Sequence, residues 1–314
     1  MKNIWTTRCI LLSKKWKVFY ILNKIANLAT EALIIEATLT PKPGLVDTAN
    51  SGAHDDMDFF LFIKSALSLE KYFNQYLTEG YYHKGSPTEL FKKIRIIGIE
   101  AEKDMFATTE QVNTHKGANF SLALLLSSMG YHLKNGLPED YPLFLGLVFN
   151  YIKKMTTDLS QQDFETLETK KELTHGEKLY LKHGIKGIRG EAEAGFPTLN
   201  NVLSHHQILS QNKNKKKHYL LALLYIMSIL EDSNIINRGG HAALKMVQHR
   251  AHSMFERYLS NDSEDAFIEE ILRFDNQLIT QHLSSGGAAD ILGLYIFIEE
   301  VRTFSRNHFN ISNK

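Results

Sequence analysis

Val112-Asn113-Thr114-His115-Lys116-Gly117, running on into Phe120-Ser121-Leu122-Ala123-Leu124, sets the character of the chain. Asn113 or Thr114 is suited to cap a helix. From 115 to 134 apolar residues recur at three- and four-residue spacing, the period of a helix and not the alternation of a strand. The same spacing extends outward in both directions. It predicts helices over 20–39, 55–77, 88–107, 115–134, 141–155, 174–184, 217–232, 241–259, 264–281 and 288–304. Pro41 and Pro43 mark the first break, Pro87 a loop, Pro138 and Pro142 another, and Pro197 a fourth. Lys17–Leu22 fits a short strand but runs into a better helix. The expected fold is all-α: one compact multi-helix domain over 20–305, with an N-terminal extension (1–19), a C-terminal tail (306–314), and chemistry on helix ends and connecting loops.

Composition narrows the function. The chain has 314 residues, enough for a sizeable core, and 43% hydrophobic residues, ordinary for a globular protein. A formal net charge of +1 gives no bulk attraction to nucleic acid or to a membrane surface. Cys9 is the single cysteine, so no internal disulfide and no cysteine-based metal cluster is available, which fits a cytoplasmic protein. The apolar run at 9–12 is too short for a signal sequence, and no stretch approaches the ~20 uncharged apolar residues of a membrane span. Thr156–Thr174 and the basic Gln211–His218 are polar interruptions, the second expected as an exposed loop. A homo-oligomer is compatible with the sequence.

Five segments concentrate Gly, Asn, acids and bases where helices should begin or end. The first is Lys42-Pro43-Gly44-Leu45-Val46-Asp47, followed by Asn50 and His54-Asp55-Asp56-Met57-Asp58. If the second helix opens at 55, His54 and Asp58 share a face, as do Asp55 and Asp58. Helix capping explains one carboxylate. The surplus, with His54, suits a Mg²⁺ ion shared with a bound triphosphate. In the second segment Lys116 sits in a first helical turn, where a cation opposes the helix dipole. An anion held there by Lys116 and the N–H groups around Gly117, beside Asn113, explains the placement.

The third segment is Gly187-Ile188-Arg189-Gly190-Glu191-Ala192-Glu193-Ala194-Gly195-Phe196-Pro197. Its glycines point to close backbone approach or unusual dihedrals. Glu191 and Glu193 share a face if the segment is extended and oppose each other if it is helical, in which case only one acts at a site. A surface pair of Arg189 with a carboxylate is the plainer alternative. The fourth is Asp232-Ser233-Asn234 with Asn237-Arg238-Gly239-Gly240-His241, where Arg238 suits a phosphate and Gly239-Gly240 suits either exposed N–H groups or a plain turn. The fifth is Ser284-Ser285-Gly286-Gly287-Ala288-Ala289-Asp290, whose carboxylate favours a helix start. No Gly-rich loop ending in Gly-Lys-Ser/Thr and no dinucleotide fingerprint is present.

In this order, these segments resemble the triphosphoribosyl-dephospho-CoA synthase family, which serves citrate lyase and, in a close branch, malonate decarboxylase. Lys42-Pro-Gly-Leu-Val-Asp47, Asn113-Thr-His-Lys-Gly117, Arg189-Gly-Glu-Ala-Glu193, Gly195-Phe-Pro197 and Arg238-Gly-Gly240 carry the resemblance, which spans about 20–305. Departures fall at Ala53, where the family often has Ser, at Glu110 and Gln111, where two glycines are usual, and at Ser285 and Ala288, where it has Pro and Ser. The resemblance implies that the 2′-hydroxyl of 3′-dephospho-CoA attacks C1′ of the ATP ribose, that adenine leaves, and that the triphosphate is retained. The product, 2′-(5″-triphosphoribosyl)-3′-dephospho-CoA, passes to a separate transferase that loads it onto an acyl carrier protein, that of citrate lyase first and malonate decarboxylase as the alternative.

Such a site needs cations and Mg²⁺ on the triphosphate, a base for the hydroxyl, a carboxylate near the oxocarbenium-like carbon, and a donor for adenine. Lys42, Asn113, Lys116, Gly117, Arg189, Arg238, Gly239, Gly240, Gly286 and Gly287 are the candidate nucleotide-binding residues. Asp55, Asp58, Glu191 and Glu193 are the carboxylate pool, with Asp55, Asp58 and Glu191 as candidate metal ligands and His54 or His115 as donor. Two rivals remain: a Mg-dependent nucleotide N-glycosidase, in which water replaces the sugar hydroxyl, and a non-catalytic helical scaffold, in which the five segments scatter.

Overall fold

The computed structural model describes residues 2–164, 173, 175–212, 214–259 and 263–312. Among them there is no strand: the chain is all-α, as expected. The long elements are α1 (Lys2–Thr38), α2 (Phe59–Tyr82), α3 (Pro87–Thr108), α4 (Lys116–His132), α5 (Tyr141–Met155), then α11 (Lys215–Ile229), α12 (Ser233–Leu259), α13 (Glu264–Thr280) and α14 (Gly286–Ser312). Between the two groups lie short helices: α6 (Leu159–Phe164), α7 (His175–His183), α8 (Ile188–Glu193), α9 (Pro197–Ser204) and α10 (His206–Leu209).

The centre is built on helices that are apolar all round. In α4, Leu122, Leu124, Leu125, Leu126 and Met129 are fully buried, and α14 does the same with Ile291 through Ile298, Gly293 apart. A helix without a polar face is stable only when other helices surround it. Accordingly α4 packs on α2, α3, α5 and α14, while α14 packs on α1, α11 and α4. Gly80 and Gly130 let α2 and α4 close up: a Cβ on Gly80 would lie 1.9 Å from the Ser127 carbonyl oxygen.

Several sequence expectations change. Lys17–Leu22 is helical, inside α1, which already begins at Lys2 and so runs through the expected extension. Within α1, Trp16–Thr38 is long and apolar enough to cross a membrane, but 44% of its most apolar window is buried inside the protein, against α2 and α14. A core helix meets that test. α14 runs on through much of the expected tail to Ser312. Pro87 and Pro197 open helices, a position where the missing N–H costs nothing. The basic run is not all loop: Lys215–Lys217 form the first turn of α11, capped by Asn214, whose Oδ1 accepts from the Lys216 and Lys217 N–H groups. Of the polar stretch 156–174, residues 165–172 and 174 lie outside the described set. The predicted helix at 241 does begin there, because Gly240 leaves helical geometry (φ 73°, ψ −174°) and splits α12.

The largest correction concerns α2. It starts at Phe59, not at 55, so His54, Asp55 and Asp58 share no helical face. Asp58 is extended (φ −133°) and its Oδ1 accepts the Leu61 N–H, the work of a plain N-cap. The preceding loop is held by side chains. Asp47 accepts from the N–H groups of Lys42, Ala49 and Asn50, and Asp275 from Gly44 N–H and the Asn50 amide. Those bonds satisfy the backbone without a helix.

Candidate active site

One cavity of about 1040 Å³ takes lining residues from all five segments: Lys42 and His54, Asn113 through Gly117, Gly187 through Glu191, Asp232 to Asn234 with Asn237 and Arg238, and Ser284, Gly286, Gly287, Ala289 and Asp290. The chain achieves this by bringing helix ends together. The C-terminal part of α1 supplies Glu36, and α4, α12 and α14 begin at the cavity. Helix N-termini carry partial positive charge and unsatisfied N–H groups, so the wall favours an anion. A second cavity of about 270 Å³ shares the wall formed by Lys116, Gly117, Ile188 and Arg189.

The candidate cations are held to different degrees. Lys42 is buried, and its Nζ donates to the carbonyl (2.8 Å) and carboxylate (2.5 Å) of Glu36. Lys116 is half-exposed and pairs with Glu102 at 3.0 Å. The Arg189 Nε donates to Asp163 at 2.8 Å, and its guanidinium lies over the Phe164 ring. Asp163 also holds Arg95 at 2.7 Å. The carboxylate pair weighed for Arg189 is therefore present, yet it engages Nε and aligns the guanidinium beside the cavity. Arg238 differs. Its NH1 donates to the carbonyls of Ala53 (2.9 Å) and His282 (3.0 Å), and NH2 faces His54 Nδ1 at 3.3 Å. It ties two loops together. Gly239 and Gly240, next to it, do not line the cavity; a Cβ on Gly239 would meet Leu283 at 2.8 Å.

The carboxylates separate sharply. α8 is helical, so Glu191 and Glu193 point apart, and only Glu191 lines the cavity. The Thr198 hydroxyl donates to Glu191 Oε1 at 2.7 Å and its N–H to Oε2 at 3.2 Å. Burial pushes the Glu191 pKa up, and the Thr198 bonds oppose that shift. Glu193 faces away, bound by Ser160 and Lys186; burial pushes its pKa up, but those bonds leave it below the usual value. Asp55 and Asp58 are exposed and do not line the cavity. Among the described residues no three His, Cys, Asp or Glu gather as a cation cage, so Asp55, Asp58 and Glu191 do not form one.

The histidines also divide. His54 has both ring nitrogens occupied, Nε2 by Ser284 Oγ at 2.9 Å and Nδ1 by Arg238, and burial together with Arg238 lowers its pKa. His115 is buried, with Nδ1 2.8 Å from Ser65 Oγ and Nε2 without a partner.

Four cavity carboxylates, Glu36, Glu231, Asp232 and Asp290, escape a sequence reading for site residues. Asp232 accepts N–H groups from Asn234, Ile235 and Ala288, stapling the start of α12 to that of α14. Asp290 packs against Gly117, where a Cβ would lie 2.0 Å from its Oδ2, and desolvation raises its pKa well above the usual carboxylate range. Glu36 neutralises Lys42. The available signal was an acid set in an apolar run, as in Ala288-Ala289-Asp290-Ile291-Leu292. Gly286 and Gly287 line the cavity where a Cβ would meet Asn234 and Asp232. At 110 and 111 the backbone takes positive φ (53° and 68°), the conformation that glycines adopt freely.

Comparison with known proteins gives the family. The family model ATP:dephospho-CoA triphosphoribosyl transferase matches residues 22–308. A protein of Streptococcus mutans serotype c is 43% identical over 290 residues, covering 88% of this chain and 95% of its own. One of Streptococcus equi subsp. zooepidemicus is 42% identical, covering 90% and 96%, and one of Streptococcus pyogenes serotype M18 is 42% identical, covering 90% and 98%. Each is named "Probable 2-(5''-triphosphoribosyl)-3'-dephosphocoenzyme-A synthase". No solved structure matches the chain significantly. With the family model covering most of the chain and the relatives aligned nearly end to end, the protein belongs to the ATP:dephospho-CoA triphosphoribosyl transferase family and is a transferase.

Proposed function

We propose that this enzyme moves the 5-triphosphoribosyl group of ATP onto the 2′-hydroxyl of 3′-dephospho-CoA and releases adenine. The observation that carries this reading is the meeting of all five segments at one large cavity, beside helix N-termini suited to a polyanion. A scaffold would not need that convergence. The C1′–N9 bond breaks and its electron pair leaves with the purine. The 2′-oxygen bonds to C1′, its proton passes to Glu191, and the purine takes a proton from water. Glu191 fits the role of base because it is the motif carboxylate of α8 that reaches the cavity, held on both oxygens by Thr198. Lys116 and Arg189 hold the phosphates by exchanging Glu102 and Asp163 for them, while Arg238 fixes the loops that carry His54 and His282.

Among the described residues no three His, Cys, Asp or Glu side chains gather to hold a resident metal. Glu36 is taken by Lys42, and Asp232 by three N–H groups. Mg²⁺ therefore enters with ATP, as part of the substrate. A reaction consuming ATP belongs in the cytoplasm, and its product goes on to a separate transferase that loads a carrier protein, for which citrate lyase is our assignment.

The test is incubation with ATP, Mg²⁺ and dephospho-CoA. Mass spectrometry should show dephospho-CoA gaining one triphosphoribosyl unit as adenine appears. Release of phosphate or ADP would overturn the reading, and adenine released equally well without dephospho-CoA would make the enzyme a glycosidase. Offering the product and a loading transferase to apo citrate lyase and apo malonate decarboxylase carrier proteins decides the client.

A further inference from the structure

Among the described residues lining the large cavity, His115 alone has a fully buried polar side-chain atom, Nε2, with no hydrogen-bond partner. Its other nitrogen explains what Nε2 carries. The Thr114 hydroxyl donates to Ser65 Oγ at 2.6 Å. Ser65 Oγ, accepting there, is free to give its own hydrogen to His115 Nδ1, 2.8 Å away, and we infer that it does. An imidazole that accepts at Nδ1 and is neutral holds its proton on Nε2. It is neutral because burial, reinforced by Lys42, brings its pKa down to about 3. The Phe62 edge packs against the ring at 5.0 Å and keeps that wall apolar. A desolvated donor of this kind is rarely left unpaired in a finished protein, so its acceptor arrives with the ligand.

We propose that His115 is a neutral Nε2–H donor to a ring nitrogen of the departing adenine, and that Ser65 and Thr114 are positioning residues that fix its tautomer. The proposal rests on the transfer reading above and assigns the adenine donor that the sequence leaves open between His54 and His115. His54 is excluded because both its nitrogens are engaged. A neutral donor suits a leaving group that gathers charge only as its bond breaks, since the contact strengthens in the transition state. His115 keeps its proton throughout.

Long-range ¹⁵N–¹H NMR of the full-length free enzyme reads the tautomer directly: an Nε2–H imidazole is expected, and an Nδ1–H imidazole overturns the proposal whatever the enzyme turns over. In kinetics, Ser65→Ala should lower kcat about tenfold with both KM values within about twofold, because a loosened tautomer costs the transition state and not the ground state. His115→Gln, which keeps an amide donor near the Nε2 position, should retain about tenfold more kcat than His115→Asn, which places its amide near Nδ1. The kcat–pH profile of His115→Gln should superimpose in shape on that of the wild type. Asn equal to Gln, a Ser65→Ala enzyme with unchanged kcat, or an effect confined to the KM for dephospho-CoA, whose own adenine is the other source of this chemistry, would each overturn it. Wild-type enzyme that makes no product would instead overturn the transfer reading and remove the donor's target, leaving the NMR result to judge the tautomer alone.

Discussion

The loop at 47–58 and the short helix α8 (Ile188–Glu193) both offer acids beside glycine, and the structure treats them oppositely. In the loop, Asp47 and Asn50 bond their own backbone, Asp58 caps α2, and Asp55 is left in solvent. In α8, the turn of the helix sends Glu193 outward to Ser160 and Lys186 and leaves Glu191 facing the cavity under Thr198. Acidic content is similar, but the loop spends its carboxylates on architecture and the helix keeps one for chemistry. A carboxylate matters to a site when the backbone can spare it and burial raises its pKa.

The sharpest break of this comparison is a pair of neutral isosteres. Glu191→Gln should lower kcat by roughly 100-fold or more, the scale of a lost general base, while Asp55→Asn should stay within about twofold. Steady-state kinetics decides it, and equal losses would dissolve the contrast. The pH dependence sharpens it further. The Glu191 pKa lies above its ordinary value of 4.5 through burial, and the bonds from Thr198 pull it down. Activity that needs the ionised base should therefore fall as pH drops through that raised pKa. Thr198→Val removes the hydroxyl donor, so the acidic limb of kcat/KM should move to still higher pH.

Smaller effects test the architectural side. Asp58→Ala removes the N-cap of α2 and should cost about 1 kcal/mol, lowering Tm by about 2 °C in calorimetry with kcat unchanged. A larger fall in kcat than in Tm would return Asp58 to the site. The smallest expected change is a gain. Glu110 and Gln111 sit at φ 53° and 68°, and each substitution to Gly relieves that conformation at some cost in chain entropy, for a net stabilisation of about 0.5 kcal/mol.

Helix content was legible because a 3.6-residue period over long segments has no competing explanation, and α4 followed its prediction to within two residues at either end. Boundaries were less legible where side chains compete with the backbone: nothing local in His54-Asp55-Asp56-Met57-Asp58 says that Asp47 and Asp275 will hold the preceding loop out of a helix. The ambiguity of Glu191 and Glu193 was of another kind. The residues allowed both geometries, and the short helix chose one.

What the sequence determines by itself is the helical class, the order of the five polar segments and the chemistry available in them, because periodicity, capping and residue type are local properties. Tertiary structure alone decides which groups face the cavity and in what state. Ser65 reaches His115 across fifty residues, Asp163 reaches Arg189 across 26, and Arg238 reaches Ala53 across 185. A tautomer, an aligned guanidinium and a braced loop each depend on a partner that only packing brings within 3 Å, and burial, which moves the pKa values of His115, Glu191 and Asp290, exists only once the helices have closed around them.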